Sequence, residues 1–386
     1  MLIYLIAGEP SGDILAARLM TALRERTGGA VAFAGIGGEA MRAQGLDSLF
    51  PQADLAVMGL AEVVPRIPRV LRRLRETLAD IEARQPAAIV TIDSWGFTGR
   101  VAKRLMERGS TVPRIHYVAP MVWAWREKRA QQLAGRVDLL LCLLPNEPDY
   151  FRKFGLTAVH VGHPVLEGSS GDGTGFRARH GIGPDVPLLC VLPGSRRSET
   201  SRLLGVFGQT VGLLTASRPD LRVVVPTVET VAESVGRAVA GWPTAVPPIL
   251  VQGAGERAAA FAASRAALAA SGTVALELAM AKVPMVIAYR LAPLTHFVVD
   301  RLVKVRYACL LNILEDRAIV PEFLQTACRP EFLAPAVASL LADGPERTLQ
   351  LAGAAAALER LRAGVDRPSW QAAGHVLHMI DERAER

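Results

Sequence analysis

The chain opens with LIYLIAGEPSGD (residues 2–13), in which an apolar run gives way to small and acidic residues. A short continuous apolar run is typical of a strand buried in a parallel sheet. Apolar residues at helical spacing follow between Ile14 and Leu23, so we expect a strand–turn–helix unit. Gly8 and Gly12 would permit the tight reversal. This order favours an α/β fold, in which ligands bind at the carboxyl ends of strands.

The polar residues of this turn allow two interpretations. Ser11 or Asp13 can cap the helix that follows, which would make the segment a structural turn without chemistry. Such a turn does not need Glu9, and a carboxylate at this edge of a sheet can also serve a ligand. The residues alone leave both interpretations open.

Length and composition predict two globular domains. A chain of 386 residues, half of them hydrophobic, is too long for one typical core. The formal net charge of +7 suits an anionic partner: a nucleotide, a nucleic acid or an anionic membrane surface. The basic residues lack the interleaved aromatic or zinc-finger patterns of nucleic-acid binders, which disfavours nucleic acid.

Several classes of site and location are disfavoured by what the sequence lacks. The four cysteines are widely spaced without a C-x-x-C pair, which favours reduced core cysteines and a cytoplasmic location. No run approaches the roughly 18 apolar residues of a membrane span, and no basic leader precedes the first apolar run. Any membrane contact should therefore be peripheral. Without an Asp-x-Asp pair or grouped His and Cys ligands, we expect neither a metal nor a cofactor.

Short apolar runs predict the strands of two parallel sheets, because helical patterns lie between most of them. The predicted strands are Leu2–Ile6, Val31–Gly35, Ala88–Ile92, Arg114–Val118, Leu139–Leu143, Ala158–Val161, Leu188–Leu192, Val223–Val225, Ile249–Val251, Ala267–Ala270 and Met285–Ala288. A glycine- and serine-rich run near residue 170 separates the two series. We therefore predict Rossmann-like domains at 1–167 and 177–344, a flexible linker at 168–176, and a helical tail at 345–386 that packs back on the N-terminal domain.

Two turns of the second half combine glycine with hydroxyl and charged side chains. Gly194, Ser195 and Arg196 follow a predicted strand, where backbone N–H groups and a guanidinium can bind phosphate. The alternative is a plain turn with a solvated arginine. The second turn contains Ser271, Gly272, Thr273 and Glu277.

In that second turn, Glu277 lies one helical turn after Thr273 and can accept hydrogen bonds from two vicinal hydroxyls, as in a ribose diol. The alternative is that Thr273 caps its own helix and Glu277 is merely exposed. Two such turns in one half together favour a nucleotide diphosphate.

The first half contains a candidate general base, Asp93, at the carboxyl tip of a predicted strand. The alternative is that Asp93 is the N-cap of a helix beginning near Phe97. Further along, Trp123 and Arg126 lie in an aromatic segment that can line an acceptor pocket or brace the core. Composition does not distinguish these two roles.

The segment from Val63 to Leu78 has an apolar face and an arginine-rich remainder, which fits an anionic membrane surface. An ordinary packed helix with a solvated arginine face is the alternative. The residues predicted to contact a membrane are Val63, Val64, Ile67, Arg69, Leu71, Arg72 and Arg73.

Taken in order along the chain, these segments resemble the lipid-A-disaccharide synthases, a family of inverting glycosyltransferases with the GT-B fold. The most specific pieces are Ala-Gly-Glu-x-Ser-Gly-Asp at 7–13 and Val-Trp-Ala-Trp-Arg at 122–126. The chain departs from the family at Trp95 and Gly96, which stand where the family has a proline and a second carboxylate. Leu311 likewise replaces the proline that precedes the family's asparagine.

The resemblance implies two Rossmann-like domains with parallel sheets facing a central cleft. It implies that the N-terminal domain binds the acceptor and carries the catalytic base, and that the C-terminal domain binds the UDP-sugar. UDP-2,3-diacylglucosamine would donate its sugar to the 6-hydroxyl of 2,3-diacylglucosamine 1-phosphate (lipid X). The products would be UDP and the β-1,6-linked lipid A disaccharide 1-phosphate, formed without a metal.

The resemblance also implies roles for particular residues. The base would be Asp93, or Glu9 in its place. The UDP-sugar would contact Gly194, Ser195, Arg196, Ser271, Gly272, Thr273, Glu277, Asn312 and Gln325. The acceptor would contact Ser11, Gly12, Trp123 and Arg126.

A peripheral enzyme of this kind would work at the cytoplasmic face of the inner membrane of a Gram-negative bacterium, where it could draw lipid X from the leaflet. A homodimer is compatible with the family. Two other functions are to be weighed against the transferase: another UDP-sugar enzyme on the same fold, such as a 2-epimerase, and a non-catalytic protein that binds nucleotide-sugar or lipid.

Overall fold

The computed structural model describes residues 1–55, 67–120, 127–168, 170–270, 272–291 and 306–385. The chain divides into two compact units. The first unit comprises Met1–Glu167 and Arg362–Arg386, and the second comprises Gly168–Leu361.

The first unit is built on a six-stranded parallel sheet whose order is β2-β1-β3-β4-β5-β6. Its strands are β1 (Leu2–Ala7), β2 (Ala32–Ile36), β3 (Ala88–Ile92), β4 (Arg114–Tyr117), β5 (Leu139–Cys142) and β6 (Thr157–His160). Because β1 and β3 are neighbours at the centre, the turns that follow them end at the same edge. The described helices of residues 1–167 are α1 (Pro10–Arg26), α2 (Glu39–Ala43), α3 (Ile67–Arg84), α4 (Trp95–Glu107), α5 (Glu127–Ala134) and α6 (Pro148–Arg152).

Apolar side chains on both faces of this sheet explain why the strands read as continuous apolar runs. On one face, Leu5 and Ile92 pack in a buried cluster with Leu19 of α1. On the other face, Ile6 packs in a second cluster with Leu78 of α3 and with residues of α4. Full burial of each such side chain contributes about 1.5–3 kcal/mol, so the sheet is the stable platform for the turns at its edge.

The second unit repeats this plan with a parallel sheet of order β12-β11-β10-β7-β8-β9. Its strands are β7 (Leu188–Leu192), β8 (Arg222–Pro226), β9 (Ile249–Val251), β10 (Ala266–Ala269), β11 (Met285–Tyr289) and β12 (Glu322–Leu324). Its described helices are α7 (Gly173–Arg179), α8 (Arg197–Ser217), α9 (Glu229–Ala240), α10 (Ala254–Ala263), α11 (Val274–Met280), α12 (Leu310–Glu315), α13 (Pro330–Leu341) and α14 (Pro345–Arg362).

The prediction of two parallel sheets in an α/β chain is confirmed. Each predicted strand coincides with a strand of the structure to within one residue at either end. The sequence prediction missed β12, a three-residue strand at the edge of the second sheet whose residues are all half-buried.

The glycine-rich run after residue 167 is more ordered than its composition predicts. Helix α7 already begins at Gly173, and the Asp172 carboxylate caps it by accepting from the Gly175 N–H at 2.8 Å. A Cβ at Gly171 would lie 2.1 Å from the backbone of Ala258 in α10. The predicted linker of 168–176 is therefore too long at its C-terminal end. Its glycines permit close packing against another helix and do not mark a flexible segment.

The predicted tail of 345–386 is not one element. Its first helix, α14, belongs to the second unit, where the Gln350 carboxamide exchanges hydrogen bonds with the backbone of Met285 at 2.5 and 3.1 Å. Its last helix, α15 (Pro368–Ala384), belongs to the first unit and packs against α1. The guanidinium groups of Arg26 and Arg367 lie 4.3 and 4.5 Å from the centre of the Trp370 ring of α15.

Candidate active site

The turn between β1 and α1 places Glu9 at the N-cap position of α1, with Pro10 as the first helical residue. Ser11 follows on the exposed side, whereas Gly12 is buried with its Cα against Ile92 at the end of β3. A Cβ at Gly12 would lie 3.4 Å from the Ile92 side chain, so this glycine allows helix and sheet to approach closely.

The prediction that Ser11 or Asp13 caps α1 is wrong. Helix α1 begins earlier, at Pro10, so both residues lie inside it. The buried Asp13 carboxylate instead caps α2, where it accepts from the N–H groups of Gly38 at 2.7 Å, Ala40 at 2.8 Å and Met41 at 3.1 Å. An aspartate suits this position because its charge complements the positive end of the helix dipole.

Gln52 holds the backbone of the Glu9 turn from outside. Its side-chain amide donates to the carbonyl oxygens of Ala7 at 2.9 Å and of Glu9 at 3.1 Å. The sequence prediction missed this residue, because a glutamine 43 residues away carries no local signal of such a contact.

The turn between β3 and α4 is built from two consecutive residues with left-handed backbones, Asp93 (φ 50°) and Ser94 (φ 47°). Such conformations are uncommon for residues other than glycine, although Asp adopts them more readily than most. Ser94, not Asp93, occupies the N-cap position of α4, which begins at Trp95. The Asp93 N–H donates to the carbonyl oxygen of Tyr117 at 2.9 Å, which ties this residue to β4.

The Glu9 and Asp93 turns meet at one edge of the sheet. A Cβ at Gly8 would lie 2.7 Å from Ser94 Oγ and 2.9 Å from Ser94 Cβ, so only glycine fits there. Glu9 is half-buried and directly follows Gly8, and Asp93 is half-buried and directly precedes Ser94. The structure therefore brings these two predicted carboxylates onto adjoining turns.

Trp95 and Gly96, where this chain departs from the family pattern, differ in their surroundings. The Trp95 ring stands edge-on to His116 with ring centroids 4.8 Å apart, and it covers Gly99 one turn along α4. Gly96 is exposed, and a Cβ built there meets nothing within 4 Å. Trp95 is therefore a packing residue, whereas position 96 has room for a side chain.

His116 is a fully buried histidine beneath the Asp93 turn that the sequence did not single out for a role of its own. Its Nδ1 lies 2.8 Å from Thr91 Oγ1, which itself donates to the carbonyl oxygen of Ile115. Nδ1 is therefore the donor, and Nε2 is a buried acceptor with no hydrogen-bond partner among the described residues. Burial lowers the pKa of His116 to about 3, so its ring is neutral at physiological pH.

In the second unit, the predicted phosphate-binding turn between β7 and α8 contains Gly194 (φ 111°), with Ser195 and Arg196 exposed. Glu199, one turn into α8, is buried and bonds to this turn: it accepts from the Ser195 N–H and from Arg196 Nη1, both at 3.2 Å. The Tyr289 hydroxyl also donates to Glu199 at 3.2 Å, and burial followed by the nearby carboxylate raises the Tyr289 pKa to about 12. The sequence prediction missed Glu199, whose spacing from Arg196 is that of a capping residue.

The turn before α11 places Gly272 (φ 146°) and Thr273 on the exposed side, with Thr273 at the N-cap position but without a side-chain cap bond. Glu277 is not merely exposed, because its carboxylate pairs with Arg257 of α10 at 3.1 Å. A ligand that uses Glu277 would share it with this guanidinium. Ser271 lies outside the described residues.

Asn312 is fully buried in α12, and its side chain uses all of its hydrogen-bonding capacity within the protein. It donates to the Val320 carbonyl at 2.8 Å and to Glu322 at 2.7 Å, and it accepts from the N–H groups of Ile319 and Val320 at 2.9 and 2.8 Å. The expectation that this side chain contacts UDP therefore does not fit the structure, since no donor or acceptor is left for a ligand.

Gln325 differs from Asn312 in being half-buried at a turn after β12, with a left-handed backbone (φ 52°). Its side-chain oxygen accepts from the Leu291 N–H at 3.3 Å, and its amide is able to donate to another group.

Helix α3 presents part of the predicted membrane-contacting set to solvent. The side chains of Ile67 and Leu71 are 45% and 49% exposed, and those of Arg69 and Arg72 are more than half exposed. Arg73 is the exception at 17%: it donates to Asp54 at 2.6 and 2.8 Å and to Glu76 at 2.6 Å. Its guanidinium also lies 4.5 Å from the centre of the Phe50 ring.

The prediction for Arg73 is therefore wrong, because this arginine packs against the protein and does not face outward. Five predicted site residues lie outside the described ranges: Val63, Val64, Trp123, Arg126 and Ser271. Within the described ranges, no helix is both long and apolar enough to cross a bilayer. The same ranges contain no group of three or more His, Cys, Asp or Glu side chains placed to hold a metal ion.

Comparison with known proteins identifies the family. The family model described as Lipid-A-disaccharide synthetase matches residues 3–374. A protein named Lipid-A-disaccharide synthase from Paramagnetospirillum magneticum is 58% identical over 390 residues, which cover 100% of this chain and 99% of that protein. One of the same name from Rhodospirillum centenum is 53% identical over 385 residues, covering 99% and 96%.

Solved structures with this fold are more distant in sequence. The UDP-GlcNAc 2-epimerase from Neisseria meningitidis bound to UDP-GlcNAc matches with a TM-score of 0.63 at 10% identity, over 98% of this chain and 100% of that one. Acinetobacter baumannii MurG matches with a TM-score of 0.54 at 16% identity, over 99% of each chain. At such low sequence identities these structural matches establish the fold alone. They confirm the predicted GT-B architecture of two Rossmann-like domains. With the family match extending from residue 3 to residue 374, the chain belongs to the lipid-A-disaccharide synthetase family of glycosyltransferases.

Proposed function

We propose that this enzyme transfers the 2,3-diacylglucosaminyl group of UDP-2,3-diacylglucosamine to the 6-hydroxyl of 2,3-diacylglucosamine 1-phosphate. The products are the β-1,6-linked disaccharide 1-phosphate and UDP. The family match supports the reaction. The observation that supports the site is the contact of Gly8 with Ser94, because it places the Glu9 and Asp93 carboxylates on adjoining turns at the carboxyl edge of the sheet.

Inversion at the anomeric carbon requires one base and no covalent intermediate. Asp93 accepts the proton of the 6-hydroxyl as its oxygen forms a bond to the anomeric carbon, and the bond from that carbon to the UDP oxygen breaks with its electron pair leaving on UDP. Glu9, Ser11 and Gly12 form the acceptor side, with Glu9 orienting the acceptor sugar or sharing the proton.

The second unit supplies the groups that bind UDP. Arg196 with the backbone of Gly194 and Ser195 holds the diphosphate and stabilises the charge that develops on it as the bond breaks. The turn of 271–273 contributes further N–H groups, while Glu277 and Gln325 contact the nucleoside end. Arg196 is exposed, which leaves its guanidinium accessible to a diphosphate even while it contacts Glu199.

We also propose that α3 binds the membrane that contains both acylated substrates. Ile67 and Leu71 lie one turn apart and are both exposed. The guanidinium groups of Arg69 and Arg72 are also more than half exposed, although Arg69 lies 3.5 Å from Asp54. A peripheral amphipathic helix typically combines two kinds of side chain: apolar ones enter the headgroup region, and cationic ones contact anionic lipids. The membrane would be the cytoplasmic leaflet of the inner membrane.

The test is UDP release and mass analysis of the product with both acylated substrates. We expect a disaccharide 1-phosphate from the wild type and a loss of turnover of about 100-fold or more in Asp93→Asn. Asp149→Asn, an exposed aspartate of the same unit, is the matched control. Loss of turnover in Glu9→Gln with normal turnover in Asp93→Asn would transfer the base role to Glu9.

The same experiment tests the two other functions. A 2-epimerase would yield an epimerised sugar without a disaccharide. A binding protein would retain both ligands and release no UDP with any acylated acceptor.

A further inference from the structure

Thr98 is a fully buried residue in the first turn of α4 whose hydroxyl reaches back to the Asp93 turn. Its Oγ1 donates to the carbonyl oxygen of Asp93 at 2.9 Å and, with a longer contact of 3.1 Å, to that of Ser94. The shorter contact therefore joins Thr98 to the residue proposed as the base.

The bond to Asp93 differs from the usual behaviour of a helical threonine. Such hydroxyls commonly donate to the carbonyl four residues earlier, as Thr77 does to Arg73 at 2.7 Å and Thr210 does to Val206 at 2.8 Å. The 3.1 Å contact of Thr98 with Ser94 is of that kind, but the contact with Asp93 spans five residues and leaves the helix. It can form because Asp93 and Ser94 both have left-handed backbones, which turn the Asp93 carbonyl toward α4.

Asp93 is thereby held at both polar groups of its backbone. Its N–H donates to the Tyr117 carbonyl of β4 at 2.9 Å, and its carbonyl accepts from Thr98. Because an uncommon backbone conformation persists only where its surroundings enforce it, these two bonds set the direction in which the Asp93 carboxylate leaves the chain.

We propose that Thr98 is a positioning residue, whose hydroxyl keeps Asp93 in the left-handed conformation that aims its carboxylate at the acceptor hydroxyl. The inference rests on the proposed role of Asp93 as the base. Thr98 is buried and touches no substrate; it acts through the backbone of Asp93.

The test compares Thr98→Val, which keeps the branched shape and removes the hydroxyl, with Thr98→Ser, which keeps the hydroxyl. We expect Thr98→Val to lower kcat for UDP release by about 10- to 100-fold, with KM for the UDP-sugar changed by less than about threefold, because a base displaced by a fraction of an ångström loses rate and not donor binding. Thr98→Ser should retain kcat to within about threefold.

Thr210→Val is the matched control, since Thr210 is equally buried and makes the ordinary bond inside α8. It should lower the unfolding midpoint about as much as Thr98→Val does, while its kcat stays near that of the wild type. Equal losses of kcat in Thr98→Val and Thr210→Val would overturn the inference, as would normal kcat in Thr98→Val.

Adding Thr98→Val to Asp93→Asn separates positioning from a general structural effect. If Thr98 acts through Asp93, the double variant should be no slower than Asp93→Asn, to within about twofold. A further loss equal to that in the wild-type background would overturn the inference while leaving Asp93 as the base. Normal turnover in Asp93→Asn alone would instead contradict the proposed role of Asp93 as the base, and the positioning role of Thr98 would fall with it.

Discussion

Gly8 and Ser94 lie so close that a methyl group on Gly8 would stand 2.7 Å from the Ser94 hydroxyl and 2.9 Å from its Cβ. This contact joins the turn that contains Glu9 to the turn that contains Asp93. Gly8 and Ser94 need not take part in the reaction to affect its rate. Any increase in side-chain volume at their contact separates the Glu9 and Asp93 carboxylates.

We therefore expect Gly8→Ala to lower the rate of UDP release by about 10- to 100-fold, since displacement of reacting groups by about 1 Å has effects of this size. The enzyme assay, with circular dichroism to verify folding, measures it. Adding Ser94→Gly to Gly8→Ala should restore much of the rate, because it removes both clashing atoms and glycine readily adopts the φ of 47° found there.

Gly96→Ala is the matched control for this prediction. Position 96 is exposed, and a Cβ there meets nothing within 4 Å, so the variant should turn over nearly as fast as the wild type. A Gly8→Ala enzyme as active as Gly96→Ala would show that the two turns tolerate separation.

Asn312→Ala should destabilise the second unit. The substitution leaves the buried Val320 N–H without its acceptor, removes one of the two acceptors of the Ile319 N–H and removes a donor from Glu322, which together cost roughly 2–4 kcal/mol. Denaturant unfolding measures the change. Glu322 also accepts from the N–H groups of Ala308 and Cys309 at the start of α12, so the loss should spread to that helix.

Gln325→Ala provides the contrast, because Gln325 is half-buried and loses one hydrogen bond to Leu291. It should weaken UDP binding, measured by calorimetry, with less effect on unfolding than Asn312→Ala. The assignment of Asn312 to stability would be refuted by an Asn312→Ala protein that unfolds like the wild type but binds UDP poorly.

Much of the fold could be predicted because its central strands are buried on both faces and read as apolar runs. Strand β12 escaped prediction for a physical reason: it lies at the sheet edge, and its residues Glu322–Leu324 are half-buried, so no apolar run marks it. Glycine in the run after residue 167 suggested flexibility, whereas Gly171 is there because α10 leaves no space for a side chain.

The positions of candidate site residues could be predicted better than their bonding partners. The order of strands alone places Asp93 at the carboxyl edge of the sheet. In contrast, Asp13 resembles a cap for its own helix and caps α2 instead, and Glu199 and Thr98 bind backbone atoms of the turns before their helices. The Asp13 contact depends on how neighbouring turns pack at one sheet edge, whereas the Glu199 and Thr98 contacts depend on the backbone conformation of their own turns. The spacing of residues along the chain determines neither.

The exposed arginines of α3 should contribute to membrane binding, whereas Arg73 should not. A charge near an anionic surface is worth about 1 kcal/mol, so Arg72→Gln should weaken binding to phosphatidylglycerol-containing vesicles about fivefold at low salt. Co-sedimentation measures the effect, with phosphatidylcholine vesicles as reference. Leu71→Ser should weaken binding to both kinds of vesicle, because it removes an exposed apolar contact.

Arg73→Gln is the matched control for Arg72→Gln. It breaks the ion pairs with Asp54 and Glu76, so it should lower the unfolding midpoint and leave vesicle binding unchanged. Binding that is equally weak in both variants, or that does not respond to salt, would argue against an outward basic face on α3.

Acid should destabilise the first unit through His163, which is buried beside Arg18. Burial, followed by the charge of Arg18, lowers the pKa of His163 to about 4, whereas an unfolded histidine titrates near 6.5. The folded state therefore binds fewer protons. The contribution of His163 to the free energy of unfolding is fully present above about pH 6.5 and decreases as the pH drops toward 4. At pH 5 the loss from this group is about 2 kcal/mol.

His163 Nδ1 accepts from the Val165 N–H at 3.1 Å, a bond that an asparagine oxygen can reproduce without titrating. We accordingly expect His163→Asn to lose less stability than the wild type between pH 7.5 and pH 5, as measured by denaturant unfolding at each pH. His378→Asn, at an exposed position of α15, should retain the full dependence, and an unchanged pH dependence in His163→Asn would assign the acid sensitivity to other groups, such as His116.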